Sequence, residues 1–149
     1  MQQQKKLKKV LENFSSQPDP THIYRMLSRN QLSQYTMKNP PMVMLHRAPE
    51  VQKKYDTFIC KSTNRSGFID TMKCRLQKKQ YHFVQNDFPY HTAPNIEHWV
   101  CWYRKETDPQ AIVCELSEKN GIDIITFWKN HSQNMSIQEI NHIHVFIQK

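Results

Sequence analysis

His142-Ile-His-Val-Phe-Ile-Gln148 alternates at period two, and the fold is read outward from it. A strand sends successive side chains to opposite faces, so Ile143, Val145 and Ile147 share one face while His142, His144 and Phe146 share the other. The aliphatic face needs a core. The opposite face pairs two imidazoles with Cβ atoms roughly 7 Å apart, close enough to address one anionic group or adjacent atoms of it. Upstream, Ile122 to Lys129 is apolar and β-branched enough for a strand. Asp108-Pro109 opens a helix that runs to about Lys119, turns Ile112, Val113 and Leu116 inward and stops at Gly121. Glu97-His-Trp-Val-Cys-Trp-Tyr-Arg104 reads as a strand with His98, Val100 and Trp102 on one face and Trp99, Cys101 and Tyr103 on the other. Tyr81-His-Phe-Val-Gln-Asn86 is another, ending in the turn Asp87-Phe-Pro-Tyr90.

Before the strands the period lengthens. Val51, Tyr55 and Phe58 suit a helix begun by Pro49, and Ile69, Met72 and Leu76 suit a second from about Ser66. Residues 136–140 offer one more helical turn. Helices followed by strand, strand, helix, strand, strand call for an α+β fold: an antiparallel sheet of about four or five strands with helices packed on it. The preceding residues read differently. Leu7, Val10, Leu11 and Phe14 recur at helical spacing among Lys5, Lys6, Lys8 and Lys9, Ile23, Met26 and Leu27 suggest a second short helix, and Asn39-Pro-Pro41 forces an extended exit. Residues 1–41 are therefore expected to be a basic helical appendage, and residues 42–149 a single α+β domain.

A length of 149 residues suits one core. Lys and Arg number 21 against 13 acidic residues, a charge of +8 that favours polyanions. Only 2 glycines occur, which excludes glycine-rich phosphate loops of the Walker and dinucleotide types. No apolar stretch approaches the roughly 20 residues that cross a bilayer, and the start lacks a secretory apolar region. The 4 cysteines form no CxxC pair, so a reducing cytoplasm, or the nucleus, is the expected compartment.

Asn86-Asp-Phe-Pro-Tyr90, Glu97-His-Trp-Val-Cys-Trp-Tyr-Arg-Lys105, Phe127-Trp-Lys-Asn130 and Asn141-His-Ile-His-Val-Phe146 together resemble the uncharacterised family typified by fungal N-acetylglucosamine-induced proteins, from about His46 onward. The same elements are more remotely similar to the histidine-triad superfamily, in particular its diadenosine tetraphosphate phosphorylase and uridylyltransferase branches. That resemblance implies a histidine-triad-like core and a nucleotidyl hydrolase or transferase acting at a phosphoanhydride. It gives His144 as the nucleophile, His142 as its neighbour on the phosphate, His98 as the histidine of the preceding strand and Asn86 as a polar residue near the sugar. It also implies pairing as a homodimer. Two positions depart from the pattern: Phe146 replaces the third histidine, and Ser136 stands well before His142 where the superfamily keeps a serine close by.

Aromatic residues support a second expectation, a non-catalytic module for RNA or the mRNA 5′ cap. Trp102 and Trp128, with Tyr90, could stack bases, each stack being worth about 1 to 3 kcal/mol. Arg104 and Arg47 are the expected phosphate holders, because a guanidinium forks oxygen pairs. A metal at His91, His98, His142 and His144 lacks the carboxylate or cysteine that usual ligand sets include, and no cofactor is implied. The expected partner is thus a nucleotide or capped RNA and no membrane, with the N-terminal segment as a surface for a protein partner.

Overall fold

The computed structural model describes residues 26–149. The expected helix around Leu7 to Phe14, the basic lysines beside it and Ile23 lie outside the described residues. Among the described residues four helices and four strands run in the order α1 (Arg29–Ser33), α2 (Pro49–Cys60), α3 (Ser62–Lys78), β1 (Tyr81–Gln85), β2 (Ile96–Tyr103), α4 (Pro109–Asn120), β3 (Ile124–Trp128) and β4 (His142–Gln148). The strands form one antiparallel sheet in the order β1-β2-β4-β3. This is the α+β architecture expected from the sequence. Among the described residues no helix is long and apolar enough to cross a membrane.

The strand that is last in sequence lies inside the sheet. β4 pairs with β2 on one side and β3 on the other, and its side chains from His142 to Ile147 are all buried. Alternation then assigns each face a different cover. Ile143, Val145 and Ile147 pack with Cys101, Tyr103 and the inward side of α4, formed by Ile112, Val113 and Leu116. Fully burying one such aliphatic side chain contributes about 1.5 to 3 kcal/mol, so this layer anchors the sheet. Helix α4 is set by local chemistry at both ends: the Asp108 side chain accepts from the Gln110 amide, Pro109 occupies the first turn, and Gly121 adopts the left-handed conformation at φ 63°.

The histidine face is covered in two parts. Ile69, Met72 and Leu76 of α3 pack against Val100 and Trp102 at one end, joined by Ile137 and Ile140. At the other end Leu32 and Tyr35 meet Tyr90, Ile96, Trp128 and Phe146. Leu32 and Tyr35, which the sequence reading places in the appendage, are thus buried against the sheet, and the Leu27 amide donates to the His91 carbonyl.

Three local expectations differ from the structure. Met26 and Leu27, expected in a short helix, are not helical: Leu27 forms an isolated bridge with Thr92, and the helix starts only at Arg29. Helix α3 begins at Ser62 rather than Ser66, separated from α2 by Lys61 alone. The expected turn at 136–140 is irregular, and a short 3-10 turn occupies Ser132–Asn134 instead. Tertiary bonds hold residues 136–140: Arg65 donates from Nε and Nη2 to the Ser136 carbonyl and from Nη2 to Glu139, while the Tyr55 and Ser136 hydroxyls bond to each other.

Candidate functional site

The cleft under the histidine face is built from strand register. Trp102 lies opposite His142, Val100 opposite His144 and His98 opposite Phe146 across the β2–β4 ladder. His98 and His144 are therefore diagonal neighbours, near enough for their rings to meet. Their facing nitrogens, His98 Nε2 and His144 Nδ1, are 2.7 Å apart. His142 is the next residue along the same face, its ring centroid 5.6 Å from that of His144 and 4.3 Å from that of Trp102.

These imidazoles line or support a cavity of about 310 Å³, within the range of small-molecule sites. His142 and His144 line it directly, while His98 stands behind His144. Asn86, Tyr90, Trp102 and Arg47, all expected at the site, also line it. Met44, Phe58, Phe68, Met72 and Phe88 give the lining an apolar part.

Trp128 and Arg104 lie elsewhere. Trp128 is on the histidine face but has no exposed surface: its ring stacks on Phe146, Tyr35 meets it edge-on, and its indole N–H donates to Asn130 Oδ1. Arg104 closes the end of α3, donating to the carbonyls of Leu76 and Gln77. Each has a structural partner where a ligand was expected.

Sequence reasoning did not single out Asn130, Tyr55 or Ser136 as lining residues. Asn130 is the most consequential, since its Nδ2 lies 3.1 Å from His144 Nε2 and 3.2 Å from the Tyr90 hydroxyl. Its place in Phe127-Trp-Lys-Asn130, two residues beyond the buried Trp128, was the available signal.

Electrostatically the cleft combines neutral bases with an unpaired cation. Burial holds His98 and His144 well below the usual imidazole range, and the neighbouring Arg47 charge pushes both in the same direction. His142 is also lowered, chiefly by burial, although its bond to the Ile140 carbonyl opposes the shift. Burial raises the Tyr90 hydroxyl above its ordinary value. The Arg47 side chain is only 5% exposed. Its Nε donates 2.7 Å to the Phe88 carbonyl, and its guanidinium carbon sits 3.9 Å from the Tyr55 ring centroid and 5.2 Å from that of Tyr90. Its Nη1 is buried without a partner, as is the indole nitrogen of Trp102. No carboxylate forms an ion pair with Arg47 among the described residues. No group of three or more His, Cys, Asp or Glu among them has the arrangement of a metal site.

Fold and cleft together define an α+β protein with a histidine-lined pocket that contains a buried arginine. A family model described as "Protein of unknown function (DUF3605)" matches residues 8–124, and the chain belongs to that family. The matched span contains Arg47, Asn86, Tyr90, His98 and Trp102 and ends before Asn130 and β4. No curated protein matches the chain. A solved structure titled "Crystal Structure of HTC1" is similar at 20% identity and a TM-score of 0.48, over 70% of this chain and 76% of that one.

Proposed function

We propose that the cleft binds the phosphate chain of a nucleotide and that an imidazole of β4 attacks phosphorus there, cleaving or transferring at a phosphoanhydride. The observation that carries this reading is the buried guanidinium of Arg47, with Nη1 unpartnered and no carboxylate paired to it among the described residues. A buried charge with no ionic partner is costly even when a carbonyl and two tyrosine rings contact it, so a site that retains one is suited to an anion that completes it. Phosphate fits better than carboxylate because the adjoining histidines are held neutral, the form in which an imidazole is a nucleophile. Arg47 takes a phosphate oxygen, Asn86 faces the sugar, and Tyr90 and Trp102 with the apolar part of the lining flank the base. Histidine-triad enzymes, which the chain resembles, would use His144 as the attacking ring with His142 and His98 assisting; the donors and acceptors around the two β4 rings favour His142 in that role instead.

Titration calorimetry with pyrophosphate and ADP tests the binding step. Arg47→Met is expected to lower affinity at least about tenfold, the loss of roughly 1.4 kcal/mol that one charge-assisted contact supplies. Wild-type protein that binds neither ligand, nor diadenosine tetraphosphate, overturns the proposal. Turnover is sought across dinucleoside polyphosphates, nucleotide sugars and cap analogues, and is expected to disappear in both His142→Ala and His144→Ala.

A second reading, a non-catalytic binder of RNA or its 5′ cap, is favoured by the unpartnered Trp102 indole nitrogen in the same cleft. It predicts that Trp102→Ala weakens binding far more than His144→Ala, with a steep loss of affinity as salt rises.

A further inference from the structure

We infer that the two histidines of β4 carry opposite proton arrangements: His144 presents an N–H to the cleft and His142 presents a lone pair, making His142 the nucleophile. The chemistry rests on the nucleotide reading above, whereas the proton positions follow from partners that can only donate or only accept.

A backbone N–H only donates. That of Tyr90 lies 3.0 Å from His98 Nδ1, which must therefore hold a lone pair. A neutral imidazole has one ring proton, so that of His98 is on Nε2 and points along the 2.7 Å contact to His144 Nδ1. Asn86 Nδ2 is 3.5 Å from the same Nε2, too long to compete. His144 Nδ1 accepts, and the proton of His144 is on Nε2. There it meets Asn130. An indole N–H also only donates, so Trp128 at 2.8 Å commits Asn130 Oδ1 and leaves the amide Nδ2 turned toward His144 Nε2 at 3.1 Å. Two donors face each other. With only the Asn130 amide nitrogen facing it, the His144 N–H assigned in this way has no acceptor, and a phosphate oxygen would supply one.

His142 is arranged the other way. The Ile140 carbonyl, which only accepts, lies 3.0 Å from its Nδ1, so the proton is there and the lone pair is on Nε2. That nitrogen has no hydrogen-bond partner among the described residues, and the ring lines the cavity. A neutral ring anchored through Nδ1–H with its opposite nitrogen free is the reactive arrangement, because the carbonyl stabilises the imidazolium formed on attack.

In the step assigned to it, the Nε2 lone pair of His142 forms a bond to the α-phosphorus, and the bond from that phosphorus to its bridging oxygen breaks. The departing phosphate keeps the electron pair, and its charge is met by Arg47 and the His144 N–H. Water then attacks the same phosphorus. The nitrogen–phosphorus bond returns its pair to Nε2 and the water proton passes to solvent.

Long-range proton–nitrogen correlation spectra of the full chain labelled with 15N-histidine test the arrangement, with assignments from single His→Gln variants. His142 should show a protonated Nδ1 and an unprotonated Nε2, and His144 the reverse; an unprotonated His144 Nε2 or a protonated His142 Nε2 overturns the inference. The nucleophile is identified by alkaline quench of a reaction with diadenosine tetraphosphate and peptide mapping. An adenylyl group on His142, absent in His142→Ala, is expected, and one on His144 overturns the assignment. Wild-type protein that neither binds pyrophosphate nor forms an adduct sinks the nucleotide reading and the nucleophilic role together, while the nitrogen spectra still decide the proton positions independently.

Discussion

At the scale of single residues, two tryptophans separate structural from ligand chemistry. Trp128 is fully buried and its N–H is paired with Asn130, whereas Trp102 lines the cleft and its N–H is buried without a partner. Trp128→Phe leaves the Asn130 oxygen unsatisfied and opens a small void, a cost of about 2 to 4 kcal/mol. Trp102→Phe removes a donor that already lacks a partner and is expected to cost less than about 1 kcal/mol. Denaturant unfolding of both variants measures the difference, and equal losses would contradict it. Much of the pocket is legible here because β-strand alternation alone places His98, His142, His144 and Trp102 on one face. Trp128, on the same face, is sealed by Tyr35 from a segment expected to be an appendage, and Arg104 meets the end of α3; both are long-range contacts that leave no local signal in the sequence.

At the scale of elements, the strands and α4 were readable because their signals are local: period two in β4, and Asp108, Pro109 and Gly121 around α4. The start of α3 was not. It has no side-chain cap and follows α2 after Lys61, with neither glycine nor proline to mark the break. The conformation of 136–140 was also hidden, since Arg65 and Tyr55, far away in sequence, hold it. The two glycines should respond to alanine with opposite signs. Gly121→Ala forces a side chain into a left-handed backbone and should destabilise by about 1 kcal/mol. Gly67 is within α3, where an added Cβ meets nothing within 4 Å, so Gly67→Ala should stabilise by roughly 0.5 to 1 kcal/mol. Thermal unfolding of the pair checks both signs.

At the scale of the whole molecule, the buried imidazoles tie folding to acidity. His98, His142 and His144 have folded pKa values below their unfolded value of about 6.5, so below that pH the unfolded chain binds more protons. Stability should be intact above about pH 6.5 and fall as the solution is acidified through it, by up to ~1.4 kcal/mol per pH unit for each histidine. His144→Gln should make the slope shallower. Urea midpoints between pH 7.5 and 5 measure it, and a flat profile would show that these rings titrate normally in the fold.

The insertion of β4 between β2 and β3 has a consequence for biogenesis. Until that segment arrives, β2 and β3 each present an unsatisfied hydrogen-bonding border, and neither can zip to the other by a simple hairpin. Assembly must therefore wait on a contact between distant parts of the chain, which makes it slow and exposes sticky intermediates along the way. A polypeptide stopped just short of residue 142 would lack more than two imidazoles: it would be missing the keystone of its own sheet.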